Sequence, residues 1–155
     1  MSQITWDEIA SESDRGHSLH GIVRDHARVQ TTAEIFTPTA LVVALIEQLG
    51  ADRLAPGKKI LDPACGDGQF LAASKVVKMK VHEMSEEDAL ADIFGIDIMA
   101  DNVKSCRRRL GGGTIVVGDA LNPDRVVEGQ SEEDRLLLAR IIGASNNAEQ
   151  SSLFG

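Results

Sequence analysis

Tyrosine is absent from the 155 residues, and aromatic side chains make up only 3% of the chain. Cysteine occurs twice, at Cys65 and Cys106, which builds no disulfide framework and offers no metal-ligand spacing. A reducing, cytoplasmic setting follows as the default. His17, His20, His26 and His82 add no ligand pattern either. No apolar run approaches the roughly 20 residues of a membrane span. The opening residues Met1–Asp7 lack a basic stretch followed by an apolar one, so no signal peptide is expected. Positive charge is also short: 16 Lys and Arg against 24 Asp and Glu leave a net charge of −8. That balance argues against binding nucleic acid through the overall field. Two local basic segments remain, Lys75, Lys78 and Lys80 on one and Lys104, Arg107, Arg108 and Arg109 on the other. Both read as solvated helix faces.

What is present suits one folded domain, with 43% hydrophobic residues and no internal repeat. Residues 1–30 read as a polar N-terminal extension, irregular at first, with Trp6 and Ile9 as anchors and a short helix over Leu19–Val29. Residues 31–143 carry the domain. There Thr37 and Pro38 open a helix through Leu41, Val42, Leu45, Ile46 and Leu49, which Gly50 stops. Strands are expected at Lys59–Asp62, Ile93–Asp97 and Thr114–Val117, with helices at Gln69–Val81, after Ser85, at Asp101–Leu110 and at Glu132–Ile142. Residues 144–155 read as a flexible tail. Strand alternating with helix is the signature of a parallel α/β sheet.

Ligands of such sheets sit beyond the carboxyl ends of the strands, and each expected strand has an acid there: Asp62, Asp97 and Asp119. Between the first strand and its helix runs Asp62-Pro63-Ala64-Cys65-Gly66-Asp67-Gly68-Gln69-Phe70. Gly66 and Gly68 let backbone approach a ligand closely. Leu71 stands where a dinucleotide site wants Gly or Ala, and Asp62 disfavours a pyrophosphate, which weakens a nucleotide-dependent oxidoreductase reading. The same acid suits S-adenosylmethionine, which carries an ammonium and a sulfonium but no phosphate. Asp97 lies about thirty residues beyond the loop, against ~20 in dinucleotide sites, and is placed to accept ribose hydroxyls. Asp119 is placed to accept from the adenine amino group, with Phe70 and Ile98 as apolar neighbours. Each acid also fits a plainer role, Asp62 orienting loop amides and Asp97 and Asp119 serving as turn residues. Cys65 reads as filling a small space rather than as a nucleophile.

Phe36-Thr37-Pro38, the Asp62–Phe70 stretch, Gly95-Ile96-Asp97 and Gly118-Asp119-Ala120-Leu121, in that order, resemble the N6-adenine DNA methyltransferases of restriction-modification type. The resemblance covers roughly residues 30–121, and its most specific part is Asp-Pro-Ala-Cys-Gly-x-Gly-x-Phe. It implies a Rossmann-like class I methyltransferase fold with S-adenosyl-L-methionine as cofactor. It also implies that Phe36, Thr37 and Pro38 lie at the methionine end, with Asp62, Ala64, Cys65, Gly66 and Gly68 beneath it. Asp97 would take the ribose and Asp119 the adenine, with Ile98 and Ala120 also at the cofactor.

The family pattern also requires an Asp/Asn/Ser-Pro-Pro-aromatic tetrapeptide, which draws hydrogens from the adenine N6 and stacks on the flipped base. The prolines stand at 38, 56, 63 and 123, none of them paired, and Asn122-Pro123-Asp124-Arg125 lacks the second proline and the aromatic. No catalytic residue is therefore assigned, and an incomplete sheet of about three strands is expected. Its first strand would be an edge, so a second copy or another protein is expected to complete it, with DNA reached only through that partner. The alternative is a non-catalytic interaction module. The end of the chain, with Gln150, Leu153 and Phe154, is similar to the short peptides that dock on replication sliding clamps and to phage clamp-binding tails.

Overall fold

The computed structural model describes residues 4–15 and 37–154, with side chains of the final helix described as far as residue 143. The helix expected over Leu19–Val29 lies outside the described residues, as do Phe36 and the side chains of Gln150, Leu153 and Phe154.

The N-terminal segment expected to be irregular instead forms helix α1, Trp6–Ser13. The Thr5 side chain accepts from the Glu8 amide, and the Glu8 carboxylate accepts from the Thr5 amide at 2.7 Å. This reciprocal cap satisfies two amides that a helix start leaves open. Helix α2 spans Thr39–Leu49, with Pro38 rather than Thr37 at its cap and no side chain capping it. Pro38 has a ψ of 141°, so helical geometry begins only after it. The remaining elements follow the sequence pattern closely: β1 Ile60–Asp62, α3 Gln69–Lys80, α4 Glu86–Ala91, β2 Ile93–Asp97, α5 Ala100–Leu110 and β3 Thr114–Val117. Helix α6 runs Glu132–Phe154, well past the Ile142 end expected for it. After Gly143 the stretch holds no proline and several good helix formers, Ala144, Ala148, Glu149 and Gln150, so nothing local ends the helix there.

The described residues form a parallel sheet in the order β1-β2-β3, with Ile60 beside Ile93 and Asp97 beside Val117. Period-two alternation sends Ile93, Ile115 and Val117 to one face, against Leu71 of α3 and Val103, Cys106 and Leu110 of α5. Ile96 and Val116 point to the other face, where Leu138 and Ile141 of α6 cover them. Helices thus lie on both faces, as a parallel sheet requires. The result is a partial Rossmann-like α/β fold. A third apolar cluster joins α1 and α2 to the outer side of α3 through Ile9, Val42, Val43, Ile46, Ala73 and Val77, with Ile60 packed against it.

Two cations expected on solvated faces are buried. Lys78 has no exposed surface, and its Nζ donates to the Lys58 carbonyl at 2.7 Å, the Leu54 carbonyl at 3.2 Å and Asp92 Oδ2 at 2.9 Å. Arg109 is buried behind the Gly-rich loop. A third cation, Arg107, holds α6 to the sheet: its Nη2 donates to the Ile115 carbonyl at 2.6 Å and to Asp134 Oδ1 at 2.8 Å. Burial alone would push the Asp134 carboxyl up. Bonds from the Ser131 amide and hydroxyl and from the Val117 backbone, with Arg107 beside it, leave it below the usual carboxylate range.

At β1 the sheet stops, among the described residues. The Ile60 amide donates to the Asp92 carbonyl, so by alternation the amide and carbonyl of Leu61 face away from β2. A strand of only three residues presents little open edge, one of the means by which proteins blunt such edges.

Candidate functional site

The loop between β1 and α3 is stitched to the end of β2. The Cys65 amide donates to the Ile96 carbonyl at 2.9 Å, and the Gly66 amide donates to Asp97 Oδ2, also at 2.9 Å. Gly68 caps α3 at a φ of 94°, and a Cβ there would lie 2.7 Å from Cys106 Sγ. Left-handed backbone and lack of room together demand glycine. Gly95 in β2 is held by lack of room alone, since a Cβ would meet Leu71 Cδ1 at 2.8 Å and Cys65 Sγ at 3.1 Å.

Beyond the strand ends lies a cavity of about 700 Å³. Of the residues expected at the site, the structure brings Thr37, Asp62, Ala64, Cys65, Gly66, Phe70, Asp97 and Ile98 to its walls. Pro38 and Gly68 lie outside the lining, Gly68 because it is packed beneath the loop on Cys106. Asp119 and Ala120 are not brought to the cavity either. Asp119 instead serves its own turn, accepting from the amides of Leu121 and Asn122 at 3.0 and 3.1 Å. The wall also takes residues that no sequence motif marks: Met99 and Asn102 after β2, and Arg125, Val126, Val127 and Glu128 from the loop after β3.

The two acids on the cavity differ in how they are held. Asp97 is the hub of the loop: besides Gly66, it accepts from the Met99 amide at 2.8 Å and Asn102 Nδ2 at 3.3 Å. A carboxylate has about four lone-pair sites, so capacity for another donor remains. Asp62 accepts from the Ala64 amide at 3.1 Å. Burial pushes its carboxyl above the usual range, the Ala64 bond opposes this, and the Asp97 charge adds to it. A carboxylate whose charge is disfavoured by its setting is relieved by a cation entering the cavity.

The sign of this effect is testable. Asp62 binds its proton more tightly folded than unfolded, so it contributes stability below its ordinary pKa that is lost as pH rises through its folded pKa. Asp62→Asn keeps the acceptor for Ala64 and removes the charge. The variant is expected to be more stable than the parent at pH 7, with the advantage gone below about pH 4. Urea unfolding at both values checks it, and equal destabilisation at both would contradict the assignment.

Behind the loop, Arg109 joins four elements. Its side chain is 6% exposed, with Nη1 on Gln69 Oε1 at 3.0 Å, Nη2 on the Ser13 carbonyl at 3.0 Å, and Asp67 Oδ1 at 3.8 Å. Burial lowers the Arg109 pKa, while Asp67 and Asp14 hold the charge in place. Thr39 donates to Asp14 Oδ1 at 2.6 Å, which adds the start of α2 to the network. Cys65 is a buried filler: a hydrogen bond with Cys106 and burial, with Asp97 and Asp62 near, push its thiol above its usual range, which disfavours the thiolate. Among the described residues no His, Cys, Asp or Glu group is arranged to hold a metal ion, and no helix is long and apolar enough to cross a membrane.

An open parallel sheet with helices on both faces and a cavity over its strand ends is the arrangement in which α/β domains hold small ligands. The family model described as N-6 DNA Methylase matches residues 13–110, from the end of α1 to the end of α5. The chain belongs to that family. Comparison with curated proteins and with solved structures gave no match.

Proposed function

We propose that the chain binds S-adenosylmethionine in the cavity over β1 and β2 and serves as the cofactor half of an adenine-N6 DNA methyltransferase. The observation that carries this reading is the pairing of Asp62 and Asp97 on one cavity, beside a loop whose Gly66 amide is tied to Asp97. The volume of about 700 Å³ falls in the range of small-molecule and cofactor sites. The lining acids favour a ligand with positive charge over one with phosphates, and burial of Asp62 strengthens that bias. Asp62 would face the ammonium or sulfonium, Asp97 the ribose hydroxyls, and Ile98 and Phe70 the apolar parts. Thr37 would close the methionine end. The cofactor, when bound, supplies an electrophilic methyl group on sulfur. This chain's own residues orient it: Asp97 fixes the loop height, and Gly66 gives its backbone room to approach.

Activation of the adenine amino group needs an acceptor pair and a stacking ring. The 155 residues hold no Pro-Pro-aromatic sequence. These residues therefore need those groups, and any contact with DNA, from elsewhere, and we propose that the domain docks on a second polypeptide, either a copy of this chain or another protein. One feature supports such a partner: the α2 stripe Leu41, Leu45 and Leu49, exposed at 51%, 42% and 56%. Light scattering at micromolar concentration is expected to give a dimeric mass, and a strictly monomeric mass counts against a second copy. For the cofactor, calorimetric titration with S-adenosylmethionine and S-adenosylhomocysteine is expected to show saturable binding. No heat with either would leave only an interaction role.

A further inference from the structure

Helix α5 buries four side chains, and three of them, Val103, Cys106 and Leu110, belong to the apolar core. The fourth is Asn102, 1% exposed and on the wall of the cavity. An amide buried in such company is costly unless it is hydrogen-bonded. Its Nδ2 donates to Asp97 Oδ1 at 3.3 Å, and the Met99 amide donates to the same oxygen at 2.8 Å. The other oxygen, Oδ2, takes the Gly66 amide of the Gly-rich loop at 2.9 Å. The carboxylate therefore straddles two elements, one oxygen on the loop and one on the start of α5. Two of these donors are backbone amides, and Asn102 is the side chain among them. The torsion that turns an aspartate's carboxylate plane is soft, with broad two-fold minima, so its donors set the plane. Asn102 is itself held still. Its neighbour Val103 is fully buried, and Gly129 brings the loop after β3 so close that a Cβ there would stand 2.6 Å from Ala100 Cβ. The first turn of α5 is clamped between the core and that loop.

We propose that Asn102 is a positioning residue for the cofactor's ribose: it fixes the plane of the Asp97 carboxylate, so that the sugar hydroxyls meet an acceptor already turned to them. This rests on S-adenosylmethionine being the ligand, with Asp97 at its ribose. An acceptor set in advance needs no ordering when the ligand arrives. The gain is made through the hydroxyls, so a ligand without them takes no benefit from Asn102.

The test is titration of S-adenosylhomocysteine and of its 2′,3′-dideoxy analogue, which lacks both ribose hydroxyls, into the full chain, carried to millimolar ligand. Asn102→Leu keeps the size of the side chain and removes its donor. It is expected to weaken S-adenosylhomocysteine roughly tenfold, as for the loss of one hydrogen bond to a charged group. The dideoxy analogue is expected to lose no more than about twofold, the margin within which independent sites add. Asn102→Ala, which relieves any crowding by leucine, should show the same split between the two ligands. Asn102→Asp sets a second carboxylate against Asp97 and should bind S-adenosylhomocysteine more weakly than Asn102→Leu does. Urea unfolding separates these losses from damage to the fold, and Asn102→Leu should keep the midpoint of the parent. Equal losses for the two ligands would overturn the inference and leave Asn102 as wall alone. So would undiminished binding of S-adenosylhomocysteine by the leucine and alanine variants. A parent chain that binds the two ligands equally would take Asp97 away from the ribose, and the inference with it. Failure of the parent to bind S-adenosylmethionine or S-adenosylhomocysteine would instead overturn the cofactor reading beneath it.

Discussion

Lys78→Met is expected to destabilise the fold by about 3–5 kcal/mol, the range found when one partner of a buried ion pair is removed. Methionine refills most of the space, so the loss comes from charge and hydrogen bonding rather than from a cavity. The Lys78 ammonium is fully buried and organises the turn between α2 and β1, donating to carbonyls of Leu54, Ala55 and Lys58 and to Asp92. Without it, three carbonyls and a carboxylate crowd together with no shared donor. Asp92 keeps only the Gly57 amide, at 3.0 Å. Adding Asp92→Asn to Lys78→Met removes the stranded charge and should restore part of the loss. Urea denaturation of the three variants measures both effects. A change below about 1 kcal/mol for Lys78→Met would mean that water reaches the site and that the pair is not sealed.

Asp97→Ala is expected to have the largest effect on binding, lowering affinity for S-adenosylmethionine at least a hundredfold. The residue has two jobs. It is the expected partner of the ribose, and its carboxylate holds the Gly66 amide, the Met99 amide and Asn102 in place. Hydrogen bonds to a charged group contribute about 1.5–3 kcal/mol each when lost, so the loop would relax even before the ligand contact is counted. Asp97→Asn separates the two jobs, since it retains an acceptor for the loop and reduces the charge. Calorimetry should place its affinity between the parent and the alanine variant. Undiminished binding by Asp97→Ala would remove the central support for the cofactor site.

The order of elements and the Gly-rich loop were legible because both are written locally. β2 is a run of apolar residues ending in an acid, α4 follows a capping serine, and α5 ends at Gly111 in the left-handed region, all signals a few residues long. Helix α1 has a local signal in Thr5-x-x-Glu8, but its polar surroundings hide it. The rest depended on distant contacts. Nothing local separates Lys78 from Lys75 or Lys80, yet Lys78 faces Asp92 and the carbonyls of the turn before β1, while Lys80 is exposed. Arg109 likewise sits in a run of three arginines, and only its approach to Asp67 and Ser13 buries it. The wall from Arg125 to Glu128 has no motif at all. It is placed by Val127 entering the core and by Gln130 reaching β3. Asp119 shows another limit: order along the chain pointed to the ligand but gave no sign that the carboxylate also closes a turn and meets Arg125.

The bond from Arg109 to the Ser13 carbonyl spans 96 positions of the chain, and it sets an order in time. Eight residues are too few for a helix to persist in water unaided, whatever its cap. We expect α1, the first described helix to be synthesised, to be among the last to become fixed, since its far end waits for an arginine near the end of α5. The same guanidinium reaches Gln69 at the start of α3 and lies beside Asp67 in the Gly-rich loop. A loop that looks self-contained in sequence is therefore completed only when α5 has been made and has docked.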